Sequence, residues 1–279
     1  MKRYLISLFF ISILSYGQSD LVFDKKFVQS EDKWVAFPAD STGSYNFGFI
    51  YIDSEAGLTL DYEGSFKVDE NGKFILQQKE FEGSMKYRLE PNNVRVAFIP
   101  SVKLSELGIK EIPDWLKFYK EDENSIERLY KWGYMYNGWG ECEKALEFLN
   151  SAYTINPKYN DLKVELAYSH NCLGNYNKAI EYIMESMREE LVTAYLIKEL
   201  IYAQAKNGDL KDAENTFVLF DSKISDKTYH SENAYNILQS YYLMKDVANF
   251  NRWLQETELI NDERFRPYVE QMIKNLNDI

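Results

Sequence analysis

Cysteine and histidine are the residues of this chain best suited to nucleophilic or metal chemistry, and it has two of each: Cys142, Cys172, His170 and His230. A thiol nucleophile needs an activating base beside it. His170 lies two positions from Cys172, and residues two apart on one helix point to different faces. The sequence shows no metal-ligand spacing, phosphate-binding loop or nucleophile elbow. We therefore predict a protein that is not an enzyme and has no cofactor or bound metal.

Tyrosine recurs at a fixed interval in the C-terminal half. Tyr134, Tyr168 and Tyr202 are evenly spaced. A tyrosine ring offers a large contact area and a polar tip at low entropic cost, which suits a surface that binds peptides. The alternative is that these rings only cover the surface or pack on their neighbours. The interval itself indicates a repeating structural unit that positions them.

Small residues follow the same period. Three glycines and, five positions after each, three alanines recur at the interval of the tyrosines: Gly140, Gly174 and Gly208, then Ala145, Ala179 and Ala213. A glycine serves a tight turn between two helices, because a residue without Cβ adopts a positive φ at least cost. The alanines let neighbouring helices approach closely. We predict stacked helix pairs that bury their apolar faces only against one another.

This pattern resembles the tetratricopeptide repeat (TPR) family, whose helix-turn-helix unit has about 34 residues. With Ile126 as position 1, the family signature falls on Leu129, Trp132, Gly133, Tyr136, Ala145, Leu149, Ala152 and Pro157, with Trp132 replacing the usual leucine. The second repeat departs from the signature at Lys163 and Leu191, and the third has a large Ile201 where a small residue is usual. The resemblance implies repeats near 126–159, 160–193 and 194–227, then a degenerate fourth repeat and a capping helix over 228–279.

The resemblance also implies a binding groove, because TPR arrays present a concave face made by the first helix of each repeat. The positions that line it in the family are occupied here by Tyr130, Tyr134, Asn137, Tyr168, Asn171, Lys198, Tyr202 and Asn236. Some TPR domains clamp a terminal carboxylate with lysine and asparagine. Tyr130 and Tyr134 stand at those positions, so the clamp is absent.

The repeat positions bear on the two cysteines. Cys142 is expected near the start of the second helix of repeat one, and Cys172 near the end of the first helix of repeat two. Consecutive helices run antiparallel in such an array, so these two ends lie side by side. A disulfide and a pair of buried free thiols are both consistent with this placement.

The N-terminus has the pattern of a secretory signal peptide. Lys2 and Arg3 precede an apolar run from Tyr4 to Leu14, and small residues follow at Ser15 and Gly17. The run is too short for a membrane span, which needs about 20 apolar residues; a short anchor helix is the alternative. We predict a signal peptide over 1–17 with cleavage after Gly17, a periplasmic or secreted protein, and no membrane insertion of the mature chain.

The chain is acidic, with a formal net charge of -12 at pH 7. The predicted cleavage would remove two further positive charges. Such a protein repels phosphate backbones, so nucleic acid is not an expected partner.

The segment 18–103 is rich in aromatic and β-branched residues and is interrupted by turn formers, which is typical of short antiparallel strands. Strands are predicted at Trp34–Phe37, Tyr45–Asp53, Leu58–Val68, Lys73–Gln77, Met85–Leu89 and Val94–Ile99, with a bend or bulge at Gly64. A connector is expected over 104–122 and a helical solenoid over 123–279. The predicted class is therefore α+β, a small antiparallel β domain followed by an all-α TPR-like solenoid.

These features favour an exported scaffold whose groove binds a protein or peptide partner in the cell envelope. An alternative is a ligand- or glycan-binding module in which the β domain holds the ligand on rings such as Trp34, Tyr45, Phe47 and Tyr51. Those rings are equally consistent with core packing. A further alternative is an enzyme that uses some of the many carboxylates.

Overall fold

The computed structural model describes residues 21–77, 83, 85–189 and 192–277. The predicted signal peptide and its cleavage site lie outside the described residues. The chain divides into two compact units, with the boundary after Glu121. The first unit is built on an antiparallel sheet and the second on helices, so the predicted α+β class is confirmed.

The strands of the first unit are β1 (Lys33–Ala36), β2 (Tyr45–Asp53), β3 (Gly57–Val68), β4 (Phe74–Leu76), β5 (Met85–Arg88) and β6 (Ala97–Phe98). Their order in the sheet is β4-β3-β2-β1-β6, and β5 also pairs with β3. Phe47 faces Gly64 but Gly48 faces Tyr62, so Glu63 is an extra residue in β3. This bulge lies where the sequence predicted an irregularity, and Gly64 accommodates it with a φ of 153°.

One face of the sheet packs on the segment that follows the strands. That segment comprises a short helix α1 (Ser101–Leu104) and two 3₁₀ turns, Ser105–Leu107 and Asp114–Tyr119. Trp115 makes edge-to-face contacts with Tyr51 and Phe49, and its ring centroid lies 5.0 and 5.7 Å from theirs. Most of the segment expected to be a connector therefore completes the core of the first unit.

The second unit contains nine helices among the described residues. They are α2 (Ile126–Gly138), α3 (Cys142–Ile155), α4 (Leu162–Cys172), α5 (Tyr176–Arg188), α6 (Ala194–Asn207), α7 (Leu210–Asp221), α8 (His230–Leu243), α9 (Val247–Thr257) and α10 (Arg266–Asn277). Each helix from α2 to α8 packs on the helix that follows it, and α4 also contacts α2 and α6. In the part of the chain that the structure describes, no helix has the length and apolarity to cross a bilayer.

The turns within the first three helix pairs each contain a glycine in the left-handed backbone conformation. Gly140, Gly174 and Gly208 have φ values of 71°, 74° and 90°. In the fourth pair the left-handed residue is Lys245, with a φ of 58°. The repeat geometry thus persists into the fourth pair although its glycine is missing.

Candidate functional site

The three predicted tyrosines lie on adjacent helices. Tyr134 is on α2, Tyr168 on α4 and Tyr202 on α6, and these helices contact one another in that order. We call this side of the three helices the tyrosine face. Tyr134 is 59% exposed, whereas Tyr168 and Tyr202 are half-buried. The face therefore offers aromatic surface that is already held in place by its neighbours.

Four more tyrosines lie beside these residues: Tyr130 was among the predicted groove residues, whereas Tyr159, Tyr195 and Tyr229 were not predicted. Tyr130 packs on Tyr159 with ring centroids 5.5 Å apart. Tyr195 packs on Tyr229 at 6.1 Å. Tyr195 and Tyr229 are themselves separated by the repeat interval, and this separation is the signal that could have found them.

Lys198 lies among three of these rings. Its Nζ is 5.6, 5.1 and 5.5 Å from the ring centroids of Tyr168, Tyr195 and Tyr229. The same ammonium group donates to Glu199 Oε1 at 2.7 Å. Burial opposes the charged form, but the carboxylates of Glu199 and Glu232, together with Tyr168, outweigh it, and the pKa of Lys198 is raised. The lysine is held charged inside an aromatic cage rather than projecting into solvent.

Two of the predicted groove amides are buried and bridge neighbouring helices. Asn137 Nδ2 on α2 donates to the main-chain oxygen of Glu165 at 3.0 Å and to its Oε2 at 2.9 Å. Asn171 Nδ2 on α4 makes the same pair of bonds to Glu199, at 3.0 and 2.8 Å. We call these the Asn–Glu clasps. They join α2 to α4 and α4 to α6.

Because of the clasps, two of the predicted groove asparagines contribute to helix packing rather than to an exposed binding surface. Asn137, Asn171 and Asn236 are each buried, so their amides add little to the surface beside the tyrosines. Glu165 and Glu199 were not singled out in the sequence. Each nevertheless follows its asparagine at the same separation, and this repeated spacing was the available signal.

The clasp is not repeated between α6 and α8. Ala205 takes the asparagine position and Asn233 the glutamate position, each one repeat interval after its counterpart. The Oδ1 of Asn233 is buried and, among the described atoms, has no hydrogen-bond partner. The contact between α6 and α8 therefore lacks a clasp, and the third and fourth pairs are linked by other polar contacts, such as Lys206 with Gln239 and Tyr241 with Glu214.

Glu165 is an unusual acid because it is only 2% exposed. Burial raises its pKa to about 7; hydrogen bonds from Asn137 and Tyr195 oppose this, and the nearby Glu199 and Asp161 add to it. Its neighbour in sequence is Val164, where the next repeat has Lys198.

Lys206 also borders the tyrosine face, on the last turn of α6. Its Nζ donates to Gln239 Oε1 at 2.5 Å and lies 5.6 Å from the centre of the Tyr202 ring. Burial lowers the pKa of this lysine. The charge is thus presented in a less hydrated setting than that of a surface lysine.

Cys142 and Cys172 form a disulfide bond. Cys142 begins α3 and Cys172 ends α4, the placement expected for ends of antiparallel neighbours. The bond closes a loop with a sequence separation of 30 residues. It fixes the second helix of the first pair to the first helix of the next.

The two histidines lie apart, each with its own neighbours. His170 stacks on Tyr182, with ring centroids 5.6 Å apart, and His230 Nδ1 lies 2.7 Å from Asp221 Oδ1. A cavity of about 30 Å³ beside His230, between α6, α7 and α8, has room for little more than a water molecule. Within the described ranges, no group of three or more potential metal ligands is present.

The aromatic rings considered as a glycan platform in the first unit face inward. Trp34, Phe47 and Tyr51 are buried in the core of the sheet, and Tyr45 stacks between Phe23 and Phe66. Trp34 Nε1 donates to the main-chain oxygen of Lys110 at 2.7 Å. These rings serve the packing of the unit.

No family model matches the chain. An uncharacterised protein of Methanocaldococcus jannaschii is 37% identical to it over 71 residues, which cover 25% of this chain and 83% of the archaeal protein. Over that stretch, the chain belongs to the same family as the archaeal protein. The name of that protein assigns no activity, so the similarity carries no function across.

Proposed function

We propose that the protein is a non-enzymatic interaction scaffold whose tyrosine face binds a peptide or an extended protein segment. One observation carries the proposal: Tyr134, Tyr168 and Tyr202 lie on three contacting helices, at equivalent positions and partly exposed. Aromatic side chains whose bodies are fixed and whose edges are accessible bind at low entropic cost. The clasps link the three helices that carry these tyrosines, and the disulfide links α4 to α3.

We further propose that the helical unit is a TPR array and that the protein works in the periplasm or outside the cell. The even spacing of the turn glycines and tyrosines, which equals the length of a TPR unit, supports the first statement. The Cys142–Cys172 disulfide supports the second, because such bonds persist in oxidising compartments. The predicted partner is accordingly a protein of the cell envelope.

A selection experiment tests the binding proposal. A displayed library of random peptides is selected on the wild-type protein, and enriched peptides are titrated calorimetrically against wild type and the triple variant Y134A/Y168A/Y202A. We expect the triple variant to lose affinity by at least tenfold, because each truncated aromatic anchor typically costs about 1–2 kcal/mol.

The matched control is Y268A, since Tyr268 on α10 is exposed to the same extent as Tyr134, 59%. This variant should bind as wild type does. Far-UV circular dichroism and thermal unfolding establish that all variants are folded. Peptides that bind the folded triple variant and wild type equally would contradict the proposal and direct the search to the first unit.

A further inference from the structure

The two Asn–Glu clasps differ in one charge. Residues one repeat interval apart are equivalent, so Glu165 corresponds to Glu199 and Val164 to Lys198. Lys198 Nζ lies 2.7 Å from Glu199 Oε1, whereas Val164 offers Glu165 no charge. In the described part of the chain, no lysine or arginine pairs with Glu165. The stack thus holds one buried carboxyl group that is compensated by hydrogen bonds alone.

The groups around Glu165 are mostly acids and tyrosines. The titratable groups that interact with it come from α2, from the residue before α4, from α4 itself and from α6: Tyr130, Asp161, Tyr168, Tyr195 and Glu199. Lys198 is already paired with Glu199. Lys163 of α4 pairs instead with Glu185 of α5 and with Glu189, which follows that helix, and Tyr153 of α3 donates to Glu185.

We propose that Glu165 is a proton-controlled joint between α2, α4 and α6: protonated Glu165 stabilises the contact between these helices, and ionised Glu165 weakens that contact. A carboxylate loses hydration when it is buried, and only a counter-ion or several hydrogen bonds restore that loss. Asn137 supplies one such bond at 2.9 Å. At the other clasp, Lys198 supplies Glu199 with a counter-ion. The joint concerns the stack itself and does not depend on what the tyrosine face binds.

The sign of the effect follows from the direction of the shift. Burial raises the pKa of Glu165 from 4.5 to about 7 in the folded chain. Folding therefore favours the protonated carboxyl group. The resulting stabilisation is complete at pH values below 4.5, declines as the pH rises, and is lost above about 7.

The test compares the full-length protein with E165Q, whose amide has the shape of the protonated carboxyl group and does not titrate. Urea unfolding is followed by helical circular dichroism at pH 6 and pH 8. Between these values the unfolding equilibrium constant of the wild type should rise about tenfold relative to that of E165Q. The comparison cancels every other titrating group.

Two further variants make the outcome decisive. E199Q, the equivalent change in the clasp that has a lysine, removes an acid that helps to raise the pKa of Glu165, so it should move the pH dependence to lower pH without abolishing it. V164K supplies Glu165 with a counter-ion and should abolish most of it, which gives a second reading if E165Q does not fold. The proposal is overturned if E165Q or V164K keeps the wild-type pH dependence, or if E199Q moves that dependence to higher pH.

Discussion

Gly133 shows how closely individual residues are fitted in the helical unit. A Cβ at this position on α2 would lie 2.3 Å from Cγ of Leu149 on α3. Leu149 is fully buried, so it has little room to move. We expect Gly133→Ala to destabilise the protein by about 1–3 kcal/mol, because overpacking forces side chains and backbone apart. Chemical denaturation of the wild type and the variant measures the difference.

Gly138, on the same helix, is the matched control. A Cβ there would meet nothing within 4 Å. Gly138→Ala should be neutral or stabilising by up to about 1 kcal/mol, since alanine restricts the unfolded chain more than glycine does. Equal destabilisation by the two substitutions would show that the contact with Leu149 does not decide the outcome.

The sequence could predict the role of residues that matter for their size, but it could not predict how deeply polar side chains are buried. Gly133 and Ala145 were identified from the repeat signature, and both are buried at helix contacts. Asn137 looked like a surface amide because asparagine is usually exposed. Its burial depends on Glu165, which is distant in sequence and comes from the next repeat. Such pairings need a register between helices, which periodicity alone does not specify.

At the level of elements, the disulfide between α3 and α4 should be a major constraint on the helical unit. Its sequence separation is 30 residues. Closing a loop of this size in the unfolded chain corresponds to about 3–4 kcal/mol in the chain-entropy model. We expect C142S/C172S to lose stability of this order in urea unfolding. Reduced wild type is the control and should match the variant; an unchanged unfolding midpoint in both would contradict the prediction.

The 3₁₀ turn Asp114–Tyr119 is an element of the first unit that the sequence assigned to a connector. Trp115 packs on Phe49 and Tyr51, whereas Phe118 of the same turn is 66% exposed. Trp115→Ala should cost about 3–5 kcal/mol, and Phe118→Ala less than about 0.5 kcal/mol. Calorimetric unfolding of both variants checks this. Similar losses for the two would mean that the turn itself, and not the ring of Trp115, supports the sheet.

Elements with strong periodicity were predicted well, and those defined by tertiary contact were not. The predicted strand Tyr45–Asp53 matches β2, and the expected repeat starts at Ile126 and Ala194 match the starts of α2 and α6. By contrast, the expected strand Val94–Ile99 is reduced to Ala97–Phe98 because only two residues pair with β1. A short edge strand is set by its neighbour rather than by its own composition.

At the scale of the whole molecule, each unit has an apolar core formed from its own residues. The core of the first includes Leu104, Leu107 and Leu116 as well as the sheet. A domain is expected to fold alone when it contains a complete apolar core of this kind. The fragment 21–121, which ends at the boundary of the first unit, should therefore unfold cooperatively, and so should the fragment 122–279.

A fragment that stops at residue 103, the limit expected from the sequence, is the decisive comparison. It keeps every described strand but lacks Trp115 and the three leucines that cover the sheet. The exposed aromatic face would then have no partner, and a sheet with one uncovered apolar face is not independently stable. We expect 21–103 to give no cooperative thermal transition where 21–121 gives one. A cooperative transition of equal midpoint in both fragments would show that the segment from residue 104 onward is only a connector and does not stabilise the sheet.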